Sequence, residues 1–593
     1  MLGLLLVSVV VVFAAWPPGV SLLEEGVQGA FKYFASDSFY YLAIAEQSSA
    51  AGYYTFDGLN PTNGFHPLWE FYLRASFGVL ALQPEQQILF TAASSVVFSS
   101  VGAGLFAWVV FSLTGRFAVA LLAAVPGLFF LVMPHFGKNF AAQWNFSNGM
   151  ESPLSVLIFG IVLVFLFSGR RTRSVWARRD LVVLSLGLSA LILTRLDDVF
   201  ILAPFALYAC LTGISIRDRV ARGFSILFAP AVVLTLYMGF NLAYAGSLLP
   251  SSGLAKADPL WAVARNGYAV FTTFFPFLDF MRQDVEVWKP EGWRVIQMIF
   301  PAALAVFWLV RFRRGRRIGL GSLPTSSGAS AAVACLAAYV VLKATYNFGV
   351  VGLWNQGGWY YVVSIMVCNL ILALLLADLL ERARKRRPQG SESSWLGRHE
   401  EWLLSLGAIL LVLLVANSAT EAKRAGHDHD RNYQFWAERA AAQELIDDHC
   451  GACGVVSFDD GIVAYALNGV PTLNGLGLVL DGEASVARLE GRLLELAWTR
   501  GHRLLVTVNY PMAPDAYARP SALRTHLARN GHFASESLDD WHFELAFRLP
   551  GSHVNFIRFV PASVARTETD KSLAGRRPPT RIDPSPPTLT FGS

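Results

Sequence analysis

The sequence predicts a mainly α-helical membrane protein: a bundle of about 11 transmembrane helices, followed by a C-terminal α/β domain outside the cytoplasm. Composition is the first observation behind this prediction, because 54% of the 593 residues are hydrophobic and only 15% are charged. A water-exposed surface of that size could not carry this balance. The second observation is a series of apolar runs close to the ~20 residues that a membrane span needs. The third is that arginine clusters lie on alternate loops between these runs.

The apolar runs define a transmembrane domain that we place at residues 1–419. They lie at about 1–20, 87–113, 117–134, 152–168, 181–196, 198–214, 223–245, 296–312, 330–346, 360–380 and 402–418, and each approaches the length of a span. The first run has no basic segment before it and no small-residue cleavage site. We therefore expect a retained span rather than a removed signal peptide.

Arginine clusters orient the bundle, because positive charge resists translocation. They lie at 170–179, 217–219, 311–317 and 382–387, and these loops are expected in the cytoplasm. The prediction is thus a multi-pass protein of the cytoplasmic (inner) membrane, in contact with membrane lipids. The net charge of +5 comes from short clusters rather than a basic face, which argues against nucleic acid as a partner.

Residues 420–564 are predicted to form an extracytoplasmic (periplasmic) α/β domain. A helix-like stretch is followed by alternating β-rich and helical patterns, at 421–448, 454–458, 484–499, 503–508 and 554–560. Residues 565–593 have no periodicity and are predicted to be disordered. Cys450 and Cys453 form a C-x-x-C that has redox, metal and disulfide interpretations, of which a disulfide is favoured outside the cytoplasm.

Polar signals are densest in the segment Ala35–Trp69, directly after the first run. Asp37 precedes an aromatic and apolar run at 39–45, which predicts an amphipathic helix lying at the membrane surface. Asp57 is predicted as a turn residue because Asp-Gly is a turn dipeptide. His66 follows in the polar turn TNGFHPLW, which returns the chain to the bilayer.

The first-loop aspartate, the turn TNGFHPLW and a later outer Gly-x-Glu-Ser resemble the GT-C superfamily of membrane glycosyltransferases. Protein O-mannosyltransferases, aminoarabinose transferases and actinobacterial arabinofuranosyltransferases belong to this superfamily, and the resemblance extends to about residue 260. It implies an inverting transfer of a sugar from a polyprenyl-phosphate donor to an extracytoplasmic glycan, lipid or protein. Relatives often carry two adjacent acids where Ser36 and Asp37 stand here, so a divalent metal, the one cofactor considered, stays undecided.

By the same resemblance, Asp37 is the general base that takes the proton from the acceptor hydroxyl. The alternative role for Asp37 is a helix N-cap. His66 contacts the donor phosphate or the acceptor sugar, or else it is a buried residue that secures the turn. Glu151 binds substrate, or else it caps the span that follows it.

Three charges in Thr194–Asp198 are expensive at a membrane boundary unless they are paired or solvated. Arg195 forms a structural ion pair with Asp197 or Asp198, or it faces the donor phosphate while an aspartate positions substrate. Lys256, in a flexible outer loop, is the other candidate ligand of the phosphate, against a snorkelling role.

Trp359 and Tyr360 lie in an outer stretch rich in amides and glycine. They stack on a sugar or a polyprenyl chain, or they belong to an ordinary interfacial aromatic belt. A different class of protein, a transporter or flippase for a lipid-linked saccharide, would place polar residues near the middle of the bilayer and often contains a repeat. Polar residues here gather at the outer ends of the runs instead.

Overall fold

The computed structural model describes residues 17–124, 148–167, 177–256, 327–349, 358–385, 403–408, 427–457, 461–476, 478–508, 538–549 and 554–565. Helices dominate the part before residue 386. In chain order they are α1 (Pro17–Glu25), α2 (Val27–Phe31), α3 (Ser38–Ala51), α4 (Pro67–Leu80), α5 (Pro84–Thr114), α6 (Phe117–Ala124), α7 (Ser152–Phe167), α8 (Arg178–Thr194), α9 (Leu202–Leu211), α10 (Ile216–Ala245), α11 (Ser251–Lys256), α12 (Ser327–Gly349) and α13 (Val362–Lys385). Short 3₁₀ turns precede α9 (Leu196–Ile201) and α13 (Gly358–Tyr361).

Among the described helices, α5, α10 and α13 are long and apolar enough to cross a membrane, as expected of a membrane protein. Shorter apolar helices are α7 and the Ala331–Lys343 part of α12. Helices α8 and α9 occupy the runs predicted at 181–196 and 198–214. The run at 296–312 lies outside the described residues, and those at 1–20 and 402–418 lie mostly outside them, so the total of about 11 spans stays a prediction.

Glycines let the membrane helices approach one another closely. A Cβ atom added at Gly102 of α5 would lie 2.7 Å from the backbone of Val156 on α7. One added at Gly160 would lie 2.9 Å from the carbonyl oxygen of Gly102. Small residues are common where membrane helices cross, because in lipid the hydrophobic effect does not drive helices together and close packing does so instead. The resulting apolar core joins α5, α7, α8, α9, α12 and α13.

The C-terminal part is built around a five-stranded sheet of order β2-β1-β3-β5-β4. Its elements are α14 (His427–Ala437), α15 (Arg439–Cys450), β1 (Gly454–Ser457), α16 (Ile462–Ala466), β2 (Thr472–Asn474), α17 (Gly482–Leu489), α18 (Leu493–Thr499), β3 (His502–Thr507), β4 (Trp541–Arg548) and β5 (Asn555–Pro561). Strands β2, β1 and β3 are parallel, whereas β5 runs antiparallel to β3 and β4. We call this part the outer domain, after the side of the membrane predicted for it from the sequence.

Predicted and observed elements of the outer domain agree in part. The three β-rich runs form β1, β3 and β5, whereas β2 and β4 were not predicted. The helical pattern at 484–499 is divided into α17 and α18 at Gly491, whose φ of +71° glycine adopts without steric cost. Cys450 and Cys453 are joined in a disulfide, the interpretation favoured from the sequence.

Helix α3 differs from the surface-lying amphipathic helix predicted at 39–45. Every residue from Phe39 to Ala45 is buried. The prediction is wrong because α3 packs between α4 and α16, so the outer domain covers the face expected to meet lipid. The approach is close: a Cβ atom at Gly461 would lie 2.2 Å from the backbone nitrogen of Tyr40. Asn474 also donates to the Tyr40 hydroxyl at 3.0 Å.

The loop between α3 and α4, residues 52–66, is tightly organised. Asp57 accepts hydrogen bonds from the backbone nitrogens of Leu59 and Asn60 at 2.9 and 2.7 Å, as expected of a turn residue. The Thr62 hydroxyl donates to the carbonyl oxygen of Val479 at 2.8 Å. The outer domain therefore secures this loop as well as α3.

Candidate functional site

A cluster of buried charges lies where α7, α12 and the turn between α8 and α9 meet. We call it the buried charge cluster, and its members are Glu151, Arg195, Asp197, Asp198 and Lys343. Four of these side chains are at most 1% exposed, and Asp197 is 16% exposed. The structure thus brings together three carboxylates and two cations from distant parts of the chain. Charges buried in this way are costly unless they are paired.

Arg195 is central to the cluster. Its Nε donates to Asp197 Oδ1 at 3.2 Å, and its Nη1 forms an ion pair with Glu151 Oε1. The guanidinium lies 4.5 Å from the centroid of the Tyr360 ring. A planar guanidinium with several fixed donors suits such a site. The structural ion pair with Asp197, one of the interpretations drawn from the sequence, is therefore present.

Lys343 is not among the residues predicted from the sequence. Its ammonium pairs with Asp198 Oδ1 and lies 3.2 Å from Asp197 Oδ2. Tyr339, one turn earlier, donates to Asp198 Oδ1 at 2.5 Å. The signal that could have found Lys343 is its position in the apolar run 330–346, because an ionisable side chain within such a run marks a functional site by default.

Glu151 links the cluster to α3 and to the loop between α3 and α4 (residues 52–66), which we call the first outer loop after its predicted side of the membrane. Its Oε2 accepts a hydrogen bond from the Tyr41 hydroxyl at 2.8 Å, and His66 Nε2 lies 3.8 Å from its Oε1. Burial and the Glu151 charge raise the pKa of Tyr41 well above its ordinary value, so the hydroxyl stays a donor. These contacts direct the carboxylate towards α3 and α4 rather than towards the first turn of α7, contrary to a capping role.

Asp37 lies at the N-terminus of α3, four residues before Tyr41. Its side chain makes no capping hydrogen bond, so the N-cap alternative is not observed. Residues four apart share a side of a helix, and the Ala35 backbone nitrogen donates to the carbonyl oxygen of Asn148 at 2.8 Å. Asp37 is half-buried, next to the segment that leads to Glu151.

The remaining predicted residues lie at the edge of the cluster. Trp359 and Tyr360 occupy the 3₁₀ turn before α13, with ring centroids 5.9 Å apart. Tyr360 reaches Arg195, whereas Trp359 packs against the core that includes α3 and α4. Lys256 is the last residue of α11, and its side chain lies outside the described part of the structure.

Glu70 on α4 is a second residue that was not predicted from the sequence. It is fully buried, and neither carboxylate oxygen has a hydrogen-bond partner among the described residues. Burial raises the pKa of Glu70 well above its ordinary value, although the charge of Arg74 acts in the opposite direction. The sequence signal that could have found Glu70 is its position between Trp69 and Phe71, in a helix that begins just after His66.

The described residues do not fit a divalent-metal site at Asp37. In this part of the chain, no group of three or more His, Cys, Asp or Glu side chains is arranged to hold a metal ion. Ser36 stands where an acidic pair would begin, and both oxygens of Glu151 contact Arg195 and Tyr41.

Comparison with known proteins finds similarity in three dimensions only. No protein-family model and no curated protein matches the chain. ArnT from Cupriavidus metallidurans bound to undecaprenyl phosphate is 13% identical, with 95% of this chain and 98% of that chain covered and a TM-score of 0.49. AglB, the oligosaccharyltransferase of Archaeoglobus fulgidus in complex with an inhibitory peptide and a dolichol-phosphate, is 14% identical, with coverages of 85% and 69% and a TM-score of 0.41.

Both neighbours are glycosyltransferases of the GT-C superfamily, the superfamily that the outer-loop motifs resemble. At these identities and TM-scores, neither neighbour assigns a function to this chain.

Proposed function

We propose that this chain is an inverting membrane glycosyltransferase. It moves a monosaccharide, a hexose or a pentose, from a polyprenyl-phosphate donor to a glycan, lipid or protein acceptor outside the cytoplasm. The observation that carries the proposal is a half-buried carboxylate, Asp37, on a helix that Tyr41 and Glu151 tie to the buried charge cluster. A donor carried in the bilayer fits a site surrounded by membrane helices, and the sequence contains no Gly-rich phosphate-binding loop for a nucleotide sugar.

Asp37 is the proposed general base. The acceptor hydroxyl attacks the anomeric carbon and gives its proton to the Asp37 carboxylate, while the carbon–oxygen bond to phosphate breaks. The polyprenyl phosphate leaves with the electron pair, and attack from the opposite side inverts the anomeric centre. Glu151 and Asp198 are fully buried and paired, so of these three carboxylates the half-buried Asp37 is best placed to reach an acceptor.

The buried charge cluster supplies fixed geometry beside this base. His66 and Asp197 are the proposed substrate contacts, because their side chains remain 22% and 16% exposed. Glu151, Arg195 and Asp198 position them. Charges held in place before substrate arrives need no reorganisation during the reaction.

Lys256 is the proposed partner of the donor phosphate. Helix α11 follows the outer end of the spanning helix α10, and the Ser251 backbone nitrogen donates to Asn63 Oδ1 at 3.1 Å, three residues before His66. Arg195 is enclosed by its own partners, which leaves Lys256 as the candidate cation. Trp359 and Tyr360 are proposed to pack against the sugar or the polyprenyl chain.

The proposal places the transmembrane domain (1–419) in the cytoplasmic membrane as a multi-pass protein. The outer domain (420–564) then lies on the periplasmic side. The arginine clusters support this orientation, because they put the cytoplasmic loops on the opposite side from Asp37.

Asp37→Asn is predicted to lower transfer by 10²–10⁴-fold, the usual contribution of general base catalysis, while donor binding persists. Purified full-length protein in detergent is assayed for transfer from synthetic polyprenyl-phosphate sugars, and any co-purifying lipid is weighed by mass spectrometry. Asp448→Asn is the matched control, because Asp448 is an exposed carboxylate of α15, and it should transfer normally. Near-normal turnover by Asp37→Asn would exclude Asp37 as the base and direct attention to Glu151 or Asp197.

The flippase alternative makes a different prediction for the same preparation. Vesicles containing the protein would then move a lipid-linked saccharide across the bilayer without forming any transfer product.

A further inference from the structure

A cleft between the outer domain and the outer end of α10 shares no lining residue with the buried charge cluster. Its volume is about 670 Å³, within the ~300–1,000 Å³ typical of small-molecule sites. Its walls come from the first outer loop at Asn60 and Pro61, from the end of α10 at Tyr244–Gly246, and from α17 and α18. Three distant segments of the chain therefore create one concave surface.

Direct contacts hold the walls of this cleft together. The Tyr244 hydroxyl donates to the carbonyl oxygen of Tyr54 at 2.5 Å, which ties α10 to the first outer loop. On the other side, a Cβ atom at Gly482 would lie 2.6 Å from the carbonyl oxygen of Ala245. Backbone thus meets backbone where the outer domain joins α10, and the cleft is formed before any ligand binds.

Charges of both signs line the cleft in equal number. Arg500 donates to Asp481 at 2.6 Å and to Glu483 at 2.5 Å. Glu483 and Arg492 are largely exposed, at 70% and 54%. Because the two carboxylates and the two guanidinium groups balance, the cleft offers no net charge that would attract an anionic or a cationic ligand. A neutral ligand with groups that both donate and accept hydrogen bonds satisfies both kinds of wall.

Apolar surface lies between these charges. Val486 projects from α17 with 51% of its surface exposed, and Tyr244 faces the same space with Leu496. A sugar has hydroxyl groups at its edges, which suit the charged groups, and apolar ring faces, which suit the apolar surface. An extended peptide would instead seek a strand edge, and the residues lining the cleft belong to helices and a loop.

We propose that this cleft binds an uncharged oligosaccharide, the growing or receiving end of the acceptor. The role as acceptor rests on the proposed function, whereas saccharide binding itself does not. The first outer loop connects the two places, because Asn60 lines the cleft and His66 lies in the buried site. A saccharide held in the cleft would be presented at the membrane boundary where α10 ends.

Val486→Trp tests the proposal by filling the cleft from an already exposed position. The full-length protein in detergent is titrated with a panel of neutral trisaccharides built from glucose, mannose or arabinofuranose, and binding is followed by calorimetry. Wild type is expected to bind at least one of them, and Val486→Trp to bind it at least tenfold more weakly. Leu545→Trp is the matched control, because Leu545 is also an exposed aliphatic residue of the outer domain (41% exposed) and lies outside the cleft.

The outcomes separate this proposal from the proposed function. Asp37→Asn should bind the trisaccharide as wild type does, so loss of transfer without loss of binding supports the cleft. Failure of wild type to bind any neutral trisaccharide, or equal binding by Val486→Trp, would overturn it. Tighter binding of a trisaccharide of uronic acids or of a tripeptide would also overturn it, since the balanced charges predict a neutral sugar.

Discussion

Lys343→Met is predicted to cause a large loss of stability in the membrane part, because it leaves the buried carboxylate of Asp198 without its cation. Methionine keeps the length and apolar stem of lysine but removes the ammonium that pairs with Asp198 and lies 3.2 Å from Asp197. Removing one partner of a buried ion pair costs about 3–5 kcal/mol. The hydrogen bond that Tyr339 donates to Asp198 remains, so we expect about 3 kcal/mol.

A second substitution should reverse most of this loss. Asp198→Asn in the Lys343→Met background removes the uncompensated charge and retains an oxygen that accepts from Tyr339. Contacting residues couple by about 0.5–3 kcal/mol in double-mutant cycles, and a value near the top of that range is expected here. The double-mutant cycle separates the net contribution of the Lys343–Asp198 ion pair to the free energy of unfolding from the penalty of leaving one charge unpaired.

Unfolding of the purified variants in detergent, by heat or by titration with a denaturing detergent, measures these differences. Arg558→Met is the control, because Arg558 pairs with Glu544 at 2.9 Å and both side chains are exposed, at 40% and 47%, so solvent screens the interaction. A wild-type unfolding midpoint for Lys343→Met would refute the assignment of a buried pair. A double variant no more stable than Lys343→Met would refute the electrostatic explanation.

Two further predictions concern the contact between α3 and the outer domain. Burial raises the pKa of Glu46 from 4.5 to about 7, against a hydrogen bond from Asn468 and with a smaller contribution from the charge of Glu85. Since the folded state holds this proton more tightly, the free energy of unfolding should fall as pH rises from about 4.5 to about 7 and then level off. Thermal unfolding across this range should show a shallower pH dependence for Glu46→Gln. An unchanged pH profile would contradict the raised pKa of Glu46. Gly461→Ala should loosen the contact of the outer domain with α3, because the added Cβ atom would meet the α3 backbone. Limited proteolysis should release the domain faster from this variant than from Gly239→Ala, where nothing lies within 4 Å of the added atom. Equal rates of release would exclude the tight contact.

Short sequence patterns correctly predicted the features that depend only on residues nearby in the chain. Apolar length identified α5, α10 and α13, and Asp57 was recognised because its partners Leu59 and Asn60 are two and three residues away. Helix α3 was misjudged because the residues that cover it lie some four hundred positions later in the chain. Burial of that kind depends on tertiary contacts that no window of the sequence contains.

The buried charge cluster shows the same limit. Arg195 and Asp197 were singled out because adjacent charges at a membrane boundary are expensive, and Glu151 because it begins a span. The pairing of Arg195 with Asp197 was one of the interpretations drawn from the sequence. Its pairing with Glu151 was not predictable, since that contact requires α7 and α8 to pack together. Lys343 was missed although the same rule on ionisable residues in apolar runs applied to it, because it lies near the end of its run.

The docking of the outer domain on α3 also has a consequence for the order of events during synthesis. Gln47 of α3 donates to Asn468 at 2.7 Å, so two partners 421 residues apart complete the same surface. A chain made from its N-terminus exposes the apolar helix that begins after Asp37 until the residues around Asn468 have been made. The residues around Asn468 therefore complete the burial of a helix made much earlier, and a nascent chain without them lacks the covered helix on which the proposed base depends.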